Sequence, residues 1–464
     1  MDLRFEGNVL TVKVVIAGDG KVGYALAEQL SREGHAIVVI DNNREVLRGL
    51  SEKLDVMVVS GNGASIVIQR EAGVEDADLV IAATSTDEVN ILCCIVARKL
   101  GCKNTIARVR NPEYAEQLQL LKQELGLSMT INPELTAARE IFKLLQLPAF
   151  LQRNAFAKGR AEIVEIELKA GNPLIGVPLG RMQAVTKVKS LICAIQSEDG
   201  GVVIPDGSAV CKEGDCISVT APTHDLVHLI KSLGLERRKI KDVLLIGGSR
   251  IAHYLSAMLV EAGIHVKIIE NNPARCLELA EALPKVSVVE GDGTDRSVLL
   301  AEGIESMDAV VTLTNIDEEN LFVSMYASRL SMPKVITKIN RTEYTEMLAE
   351  LGIDSIVNPK LLCAYNIIQY VRAMGKTTGG SVLTVYDLVG DRVQALEFNV
   401  AEGTRHLSVP LKHITLKPQT LIACINRRGQ ILIPGGGDTI ETGDSVVVVA
   451  SADRDIYDLN DIFD

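Results

Sequence analysis

The sequence has no tryptophan, and aromatic residues make up only 3% of its 464 residues. Because flat aromatic side chains are the platforms on which unpaired bases stack, this scarcity argues against a single-stranded nucleic-acid binder. Basic residues are not in excess either, since 60 acidic and 48 basic side chains give a net charge of −12. Nonspecific nucleic-acid binding requires clustered lysine and arginine, so the charge argues against the same class of function.

Long apolar runs and paired cysteines are also missing. No run approaches the ~18–20 residues that span a bilayer, so we expect a cytosolic chain, and any role in transport would have to be exercised on a partner. The nine cysteines are an odd number without a C-x-x-C pair, which argues against a disulfide framework or a zinc ribbon. His224 and His228 stand four apart with no further ligand, and we expect no metal site.

The chain repeats itself at an offset of about 229 residues. The segment VVIAGDGKVGYALAEQLSREGHAIVVIDNN begins at Val14, and VLLIGGSRIAHYLSAMLVEAGIHVKIIENN begins at Val243. Fainter matches follow, such as LICAI with LIACI and CKEGDCISV with IETGDSVVV. We interpret this as a duplicated two-part unit. The predicted domains are 1–150 and 237–377, each a Rossmann-type part, and 151–236 and 378–464, each a small α+β part.

Within the first long part, apolar β-rich runs alternate with amphipathic helical stretches. Runs without polar alternation are typical of strands that are buried on both faces of a parallel sheet. The predicted strands are 12–17, 36–40, 56–60, 79–83 and 105–109, and the main predicted helices are 22–33 and 87–100. The fold class is therefore α/β, with two doubly wound parallel-sheet Rossmann domains, each followed by a small α+β domain.

A longer helix is predicted from about Pro133 to Leu147, and its counterpart begins at Pro359. Proline is tolerated in the first turn of a helix because its missing N–H would have no partner there. An apolar stripe on the helix needs a partner surface. Two interpretations stay open: packing on its own sheet, or a contact with another subunit.

A glycine-rich loop follows the first strand and opens a helix. Its sequence is Gly18-Asp19-Gly20-Lys21-Val22-Gly23. In this strand-loop-helix context the pattern G-x-G-x-x-G predicts a dinucleotide site. Gly18 permits the tight turn, Gly20 lets a pyrophosphate approach the backbone, and Gly23 lets helix and strand pack closely. The free N–H groups at the helix start favour phosphate.

Further candidate ligands lie at the carboxyl ends of the later strands, where open α/β sheets bind their ligands. Asp41 ends the second strand 23 residues after Gly18, and an acid there accepts hydrogen bonds from ribose hydroxyls. It would repel a 2′-phosphate, so NAD(H), ATP or ADP is favoured over NADP(H). The other candidates are Asn62 within GNG for adenine, Thr84 and Ser85 for the central ribose or phosphates, and Arg108 in preference to Arg110.

The second loop departs from this pattern. It consists of Gly247, Gly248, Ser249, Arg250, Ile251 and Ala252, so a serine stands where Gly20 stands in the first loop. Alanine at the last position is tolerated, whereas a serine side chain points toward the phosphates. Glu270 keeps the ribose acid at the same spacing. A weaker or differently selective site and an empty one both remain open.

Catalytic residues are scarce beside these loops. An oxidoreductase needs an acid or base next to the nicotinamide, but the segment 151–223 contains no histidine. We expect no catalytic residues and no enzymatic activity. A nucleotide sensor that shifts a conformational equilibrium is favoured, with an NAD-dependent oxidoreductase as the alternative.

At this point the sequence resembles a known family. The segments GDGKVGYALAEQL, GNGAS, REAGVEDADLVIAATSTDEVN and IARVRNPEY are similar to those of the TrkA family, the peripheral subunits of Trk potassium-uptake systems, which are built from two RCK units. The resemblance covers nearly the whole chain after about Val12. It implies NAD(H) and competing ATP or ADP as ligands. The implied contacts are residues 18–22, Asp41, Thr84, Ser85 and Arg108, then residues 247–251 and Glu270.

The same resemblance implies an assembly and a partner. Four subunits would form a ring beneath a membrane-embedded Trk channel protein, on the cytoplasmic face of the membrane. Nucleotides would change the shape of the ring and thereby the opening of the channel. A regulator of another cation transporter with the same domains is a further alternative. The C-terminal parts of related regulators can hold a second effector, for which the sequence offers no motif.

Overall fold

The computed structural model describes residues 11–18, 20–111, 113–114, 117, 124–147, 149–151, 153–235, 239–341, 355–374, 382–388, 392–454, 456 and 458–464. Residues 1–10 and Asp19 of the first loop lie outside this part of the chain.

The first long part forms a six-stranded parallel sheet in the order β3-β2-β1-β4-β5-β6. Its strands are β1 (Lys13–Ala17), β2 (Ala36–Asp41), β3 (Met57–Ser60), β4 (Leu79–Ala82), β5 (Asn104–Arg108) and β6 (Met129–Ile131). The central strands are fully buried, as expected for a sheet with helices on both faces. We call this sheet and the helices that cover it the first lobe.

The described helices of this part are α1 (Lys21–Arg32), α2 (Arg44–Lys53), α3 (Ile66–Glu71), α4 (Asp87–Leu100) and α5 (Pro133–Gln146). Local signals in the sequence set their ends. Asn43 caps α2, because its side-chain oxygen accepts the N–H groups of Glu45 and Val46. Gly101 ends α4 with φ +117°, a conformation that glycine adopts without strain.

The second lobe repeats this architecture with the sheet order β14-β13-β12-β15-β16-β17. Its strands are β12 (Asp242–Ile246), β13 (His265–Glu270), β14 (Ser287–Glu290), β15 (Ala309–Thr312), β16 (Lys334–Lys338) and β17 (Ile356–Val357). Its described helices are α8 (Arg250–Glu261), α9 (Pro273–Ala282), α10 (Arg296–Ala301), α11 (Asp317–Arg329) and α12 (Pro359–Met374). The predicted duplication of the fold is thus confirmed, strand for strand.

The last helix of each long part packs against the lobe formed by the other half of the chain. Helix α5 follows β6 of the first sheet but packs on α8, so Ile141 and Leu145 lie in one core with Leu255 of the second lobe. Helix α12 follows β17 but packs on α1, so Ile367 lies in one core with Leu26 of the first lobe. The expectation that the long helix packs on its own sheet was wrong, because its partner surface belongs to the other half of the same chain.

The two C-terminal parts are antiparallel sheets, ordered β10-β9-β11-β8-β7 and β18-β19-β22-β20-β21. The first has strands β7 (Arg153–Phe156), β8 (Ala161–Glu167), β9 (Leu191–Gln196), β10 (Val202–Val203) and β11 (Cys216–Pro222), with helices α6 (Met182–Thr186) and α7 (Leu226–Ser232). The second has β18 (Val382–Leu388), β19 (Val393–Asn399), β20 (Thr420–Arg427), β21 (Gln430–Leu432) and β22 (Ser445–Ser451).

These two sheets share a core. Residues Ile163 and Cys193 of the first sheet pack with Ala395, Cys424 and Val449 of the second. The halves of the chain are therefore joined twice, once by the exchanged helices and once by the packed sheets. The second sheet is followed by a single 3-10 turn, Leu459–Ile462. Asp458 begins this turn with a capping box, in which its side chain accepts the N–H of Asn460 and the side chain of Asp461 accepts the N–H of Asp458.

Among the described residues, no helix is both long and apolar enough to traverse a lipid bilayer.

Candidate nucleotide-binding sites

The first glycine-rich loop joins β1 to α1, and two of its glycines are fixed by close contacts. Gly18 has φ +102°, and a Cβ there would lie 2.8 Å from the carbonyl oxygen of Ala83. A Cβ on Gly23 would lie only 2.0 Å from the carbonyl oxygen of Gly18. Both positions therefore require glycine for the loop to close against β4 and for α1 to start where it does.

Gly20 is different, because a Cβ there would have no described neighbour within 4 Å. Its backbone is extended with φ −69°, which any residue can adopt, and no side chain caps α1. Neither packing nor conformation within the chain therefore accounts for glycine at this position. The open space lies over the start of α1, where unpaired N–H groups attract phosphate.

Asp41 ends β2 beside this loop, as predicted. One carboxylate oxygen accepts the N–H of Asn43 at 2.8 Å, which holds the side chain at the carboxyl edge of the sheet. Gly61 N donates to the carbonyl oxygen of Asp41, which brings the GNG turn alongside. Asn62 is exposed, and its oxygen accepts the N–H of Ala64 at 2.9 Å. Asp41 and Asn62, the candidate contacts for ribose and adenine, thus lie at one edge of the sheet.

Thr84 and Arg108 are held together by a residue that sequence reasoning missed. The side-chain oxygen of Asn90 on α4 lies 2.7 Å from both the backbone N and the hydroxyl of Thr84. Its amide nitrogen donates to the carbonyl oxygen of Arg108 at 2.9 Å. The repeat offered a signal, since Asn320 makes the equivalent bonds in the second lobe. Ser85, beside Thr84, is exposed.

Arg108 is a half-buried positive group at the carboxyl end of β5. Its guanidinium donates to the carbonyl oxygen of Thr84, while its buried Nε has no described partner. Burial lowers the pKa of Arg108, and the neighbouring Arg110 adds to the effect. Arg110 is turned away and donates to Glu134 at 2.7 Å, which supports the preference for Arg108. An arginine with an unused donor in a partly buried position favours an anionic ligand.

In the second lobe, side chains of the protein itself form hydrogen bonds with more of the backbone groups of the phosphate loop than in the first lobe. Ser249 caps α8, because its hydroxyl accepts the N–H of Ala252 at 3.4 Å. Glu270 accepts the N–H of Gly248 at 2.6 Å, and Arg275 donates to the carbonyl oxygen of Gly248 at 2.8 Å. A Cβ on Gly248 would meet Leu279 at 2.5 Å, so this loop is also tightly packed.

Other residues of the second lobe are equivalent in position to first-lobe site residues, and some of them have a different type of side chain. Gly247 keeps a positive φ of +97° and packs against Thr314 as Gly18 does against Ala83. Arg250 is exposed and Ile251 is buried. Lys338 stands where Arg108 stands, and its ammonium donates to the carbonyl oxygen of Thr314 at 2.9 Å. Its pKa is lowered mainly by burial.

The described part of the chain contains no group of three or more histidine, cysteine, aspartate or glutamate side chains that could hold a metal ion. The candidate ligand groups of both lobes are the backbone amides of the loops, the carboxylates of Asp41 and Glu270, and the basic side chains at the strand ends.

Comparison with known proteins places the chain among potassium-transport proteins. The TrkA-N domain model matches residues 14–133 and 243–359. The chain is 32% identical over 458 residues to the Trk system potassium uptake protein TrkA of Halomonas elongata, covering 97% of this chain and 98% of that one. It is 32% identical over 452 residues to a TrkA homolog of Archaeoglobus fulgidus, covering 97% and 100%.

Solved structures show the same fold at lower sequence identity. The GsuK RCK domain aligns with a TM-score of 0.61 and 20% identity, covering 96% of this chain and 94% of that one. The GsuK channel bound to NAD aligns equally well, with a TM-score of 0.61 and 20% identity over 96% of this chain and 78% of that chain. GsuK bound to ADP gives a TM-score of 0.50 at 18% identity over 80% and 73%.

Proposed function

The chain belongs to the TrkA family of Trk-system potassium-uptake proteins, and we propose that it is a nucleotide-sensing regulatory subunit that gates a Trk-type potassium channel. The observation that carries the proposal is the first loop, in which Gly20 leaves open space over the start of α1 between Asp41 and Arg108. The ligands are NAD(H) and, in competition, ATP or ADP. The chain is not an enzyme in this proposal.

In this proposal the chain consists of four domains. Residues 1–150 and 237–377 are the Rossmann-type RCK-N domains, and 151–236 and 378–464 are the RCK-C domains. The proposed contacts are those of the first loop with Asp41, Asn62, Thr84, Ser85 and Arg108, and the corresponding residues 247–251 with Glu270. A solved GsuK channel is bound to NAD and another GsuK structure to ADP, which supports these ligand classes.

The exchanged helices connect the proposed nucleotide site of one half of the chain to the other half. A ligand between the first loop and Arg108 contacts α1, on which α12 of the other half packs. A ligand that binds two arrangements of the lobes unequally shifts their populations. We propose that four chains form a ring at the cytoplasmic face of the membrane, where these shifts change the opening of the channel.

Titration of the purified chain with NAD⁺, NADH, ATP, ADP and NADP⁺ tests the ligands. We expect Asp41→Ala to weaken NAD(H) and ATP binding together by about tenfold or more, since both use the ribose. Asp55→Ala is the matched control, because Asp55 precedes β3 at the opposite edge of the same sheet. Unchanged affinity for either nucleotide in Asp41→Ala would remove Asp41 from the site.

The regulatory role needs a separate measurement. The chain is added to vesicles that contain a Trk-type membrane subunit, and potassium flux is followed with and without nucleotide. We expect nucleotide-dependent flux with the wild-type chain and none with Asp41→Ala. Sustained oxidation of NADH by the chain alone, above a protein-free control, would favour an oxidoreductase instead.

A further inference from the structure

The GNG turn, Gly61–Gly63, packs directly against the first phosphate loop. Its first N–H donates to the carbonyl oxygen of Asp41 at 2.9 Å. A Cβ on Gly63 would lie 2.8 Å from the Cβ of Ala17, the residue that precedes Gly18. The turn therefore lies against the carboxyl ends of β1 and β2, beside the proposed contacts for phosphate and ribose.

Two buried side chains form hydrogen bonds with the carbonyl oxygen of Gly63. The amide nitrogen of Gln69 on α3 donates to this oxygen at 2.7 Å and to the carbonyl oxygen of Cys93 at 2.9 Å. The thiol of Cys93 on α4 also donates to the oxygen of Gly63, at 3.1 Å. Burial raises the pKa of this thiol to about 12, so it keeps the proton that it donates. The turn is thus bound to both α3 and α4.

Gln69 is fully buried, and its amide oxygen has no hydrogen-bond partner among the described residues. Because both partners of the side chain are carbonyl oxygens, the amide has to present its nitrogen to them. Its oxygen is then left in the interior, where an acceptor without a donor destabilises the folded chain.

The second lobe has the equivalent turn, Gly291–Gly293, without these two hydrogen-bonding side chains. At an offset of 230 residues (299 − 69), the repeat aligns Gln69 with Leu299 and Cys93 with Val323. Both of these second-lobe side chains are apolar and buried. The turn nevertheless keeps its backbone bond to the end of β13 at 2.9 Å. The fold of the turn therefore does not require a glutamine.

The exposed middle residue of the turn also differs between the lobes. The amide of Asn62 can donate and accept at the same time, which matches the N7 and amino group at one edge of adenine. The repeat places Asp292 there in the second lobe, and its carboxylate only accepts. The lobe whose turn carries the adenine-complementary amide is thus the lobe that has Gln69.

We propose that Gln69 is a positioning residue of the first nucleotide site, which holds the GNG turn so that Asn62 recognises the adenine base. This inference rests on the proposed function and adds the residue on which selectivity for the base depends. Gln69 is fully buried and acts through Gly63. A turn that is fixed before the ligand arrives loses less conformational entropy on binding, which offsets the unfavourable burial of the amide oxygen.

The test compares ATP with inosine triphosphate (ITP), which carries an oxygen in place of the adenine amino group. In calorimetric titrations of the full wild-type chain, we expect ATP to bind about fivefold or more tightly than ITP. Gln69→Leu copies the second lobe, and Gln69→Met keeps the length of the side chain. Both remove the amide donor, so we expect ATP affinity to fall about fivefold while ITP affinity stays within about twofold of wild type.

Arg70→Leu is the matched control. It introduces leucine at the next position of α3, where Arg70 is exposed and pairs with Glu75 at 3.0 Å. We expect its preference for ATP over ITP to equal that of wild type. The midpoint of thermal unfolding of Gln69→Leu should be at least that of wild type, because a buried acceptor without a partner is removed. The second nucleotide site is unaltered in every variant, so a changed preference belongs to the first.

An unchanged preference for ATP in a folded Gln69 variant would overturn the inference. Equal losses of ATP and ITP affinity would overturn it as well, since they would assign Gln69 to the stability of the lobe, and so would failure of both variants to fold. Equal affinity of the wild-type chain for ATP and ITP would contradict the role of Asn62 and leave nucleotide sensing intact. If the wild-type chain binds no nucleotide, or if Asp41→Ala binds as well as wild type, the proposed function itself fails.

Discussion

At the scale of single residues, one difference between the two phosphate loops changes how the following helix begins, namely Gly20 in the first loop and Ser249 in the second. Gly20 leaves the start of α1 uncovered, whereas Ser249 covers the start of α8 with its own hydroxyl. A serine in this place satisfies an N–H group that a phosphate would otherwise use. In the second lobe the serine cap and a bound phosphate would compete for the same backbone N–H groups, whereas in the first lobe no side-chain cap competes with the phosphate.

Gly20→Ser tests this competition directly. The new hydroxyl would cap α1 as Ser249 caps α8, so we expect the free energy of unfolding to stay within about 1 kcal/mol of wild type or to rise. Nucleotide affinity should fall about tenfold, because the cap occupies a phosphate-binding N–H group. Chemical denaturation and calorimetry measure the two effects. Affinity equal to wild type in a folded Gly20→Ser chain would show that the open space over α1 is not used.

At the scale of elements, the exchanged helices make each lobe depend on the other half of the sequence. Ile367 on α12 is 1% exposed and packs with Val14 and Leu26 in the core of the first lobe. Without α12, the apolar surface of α1 would face water. Removal of that surface from water stabilises the folded chain at about 25 cal/mol per Å² of apolar area.

Ile367→Ala should therefore destabilise the first lobe, although the residue follows the second sheet in the chain. A buried isoleucine truncated to alanine costs about 2–5 kcal/mol. Native-state hydrogen exchange should show faster exchange in β1 and α1. Leu277→Ala on α9 is the control, since Leu277 is 67% exposed and its loss should change stability by less than about 0.5 kcal/mol. Faster exchange confined to the second lobe would contradict the exchanged packing.

At the scale of the whole molecule, all nine cysteines are free thiols, and seven of them are buried. Burial raises the pKa of Cys93 and of Cys424 to about 12. Unfolded thiols ionise near pH 8.5. Above that pH the unfolded chain binds fewer protons than the folded chain, so the free energy of unfolding decreases as the pH rises.

We expect stability to fall between about pH 9 and pH 11, and native thiol labelling at pH 8 to modify only Cys216 and Cys276, which are half-buried. Mass spectrometry after iodoacetamide treatment identifies the labelled sites, and urea titrations at several pH values follow stability. Replacing Cys93 and Cys424 with alanine should reduce the loss at alkaline pH. Labelling of Cys93 in the native chain would contradict the buried environment.

The sequence by itself determined the local features of this protein. Continuous apolar runs, capping asparagines and the glycine-rich loop act over a few residues, so β1 and α1 fell within one residue of their predicted limits. The repeat added the second lobe, because equivalent sequences adopt equivalent folds. Strand β6 was missed, since three residues are too short to show a periodicity.

Only the tertiary structure decided which half supplies each partner surface. The apolar stripe of α5 required a partner, but the same stripe would fit either sheet, because both present equivalent apolar faces. The choice depends on how the chain leaves β6 and β17, which no local pattern encodes. The same long-range packing places Ile367 in one core with Val14, although 353 residues separate them (367 − 14), because the burial of apolar surface does not depend on the distance between residues along the chain.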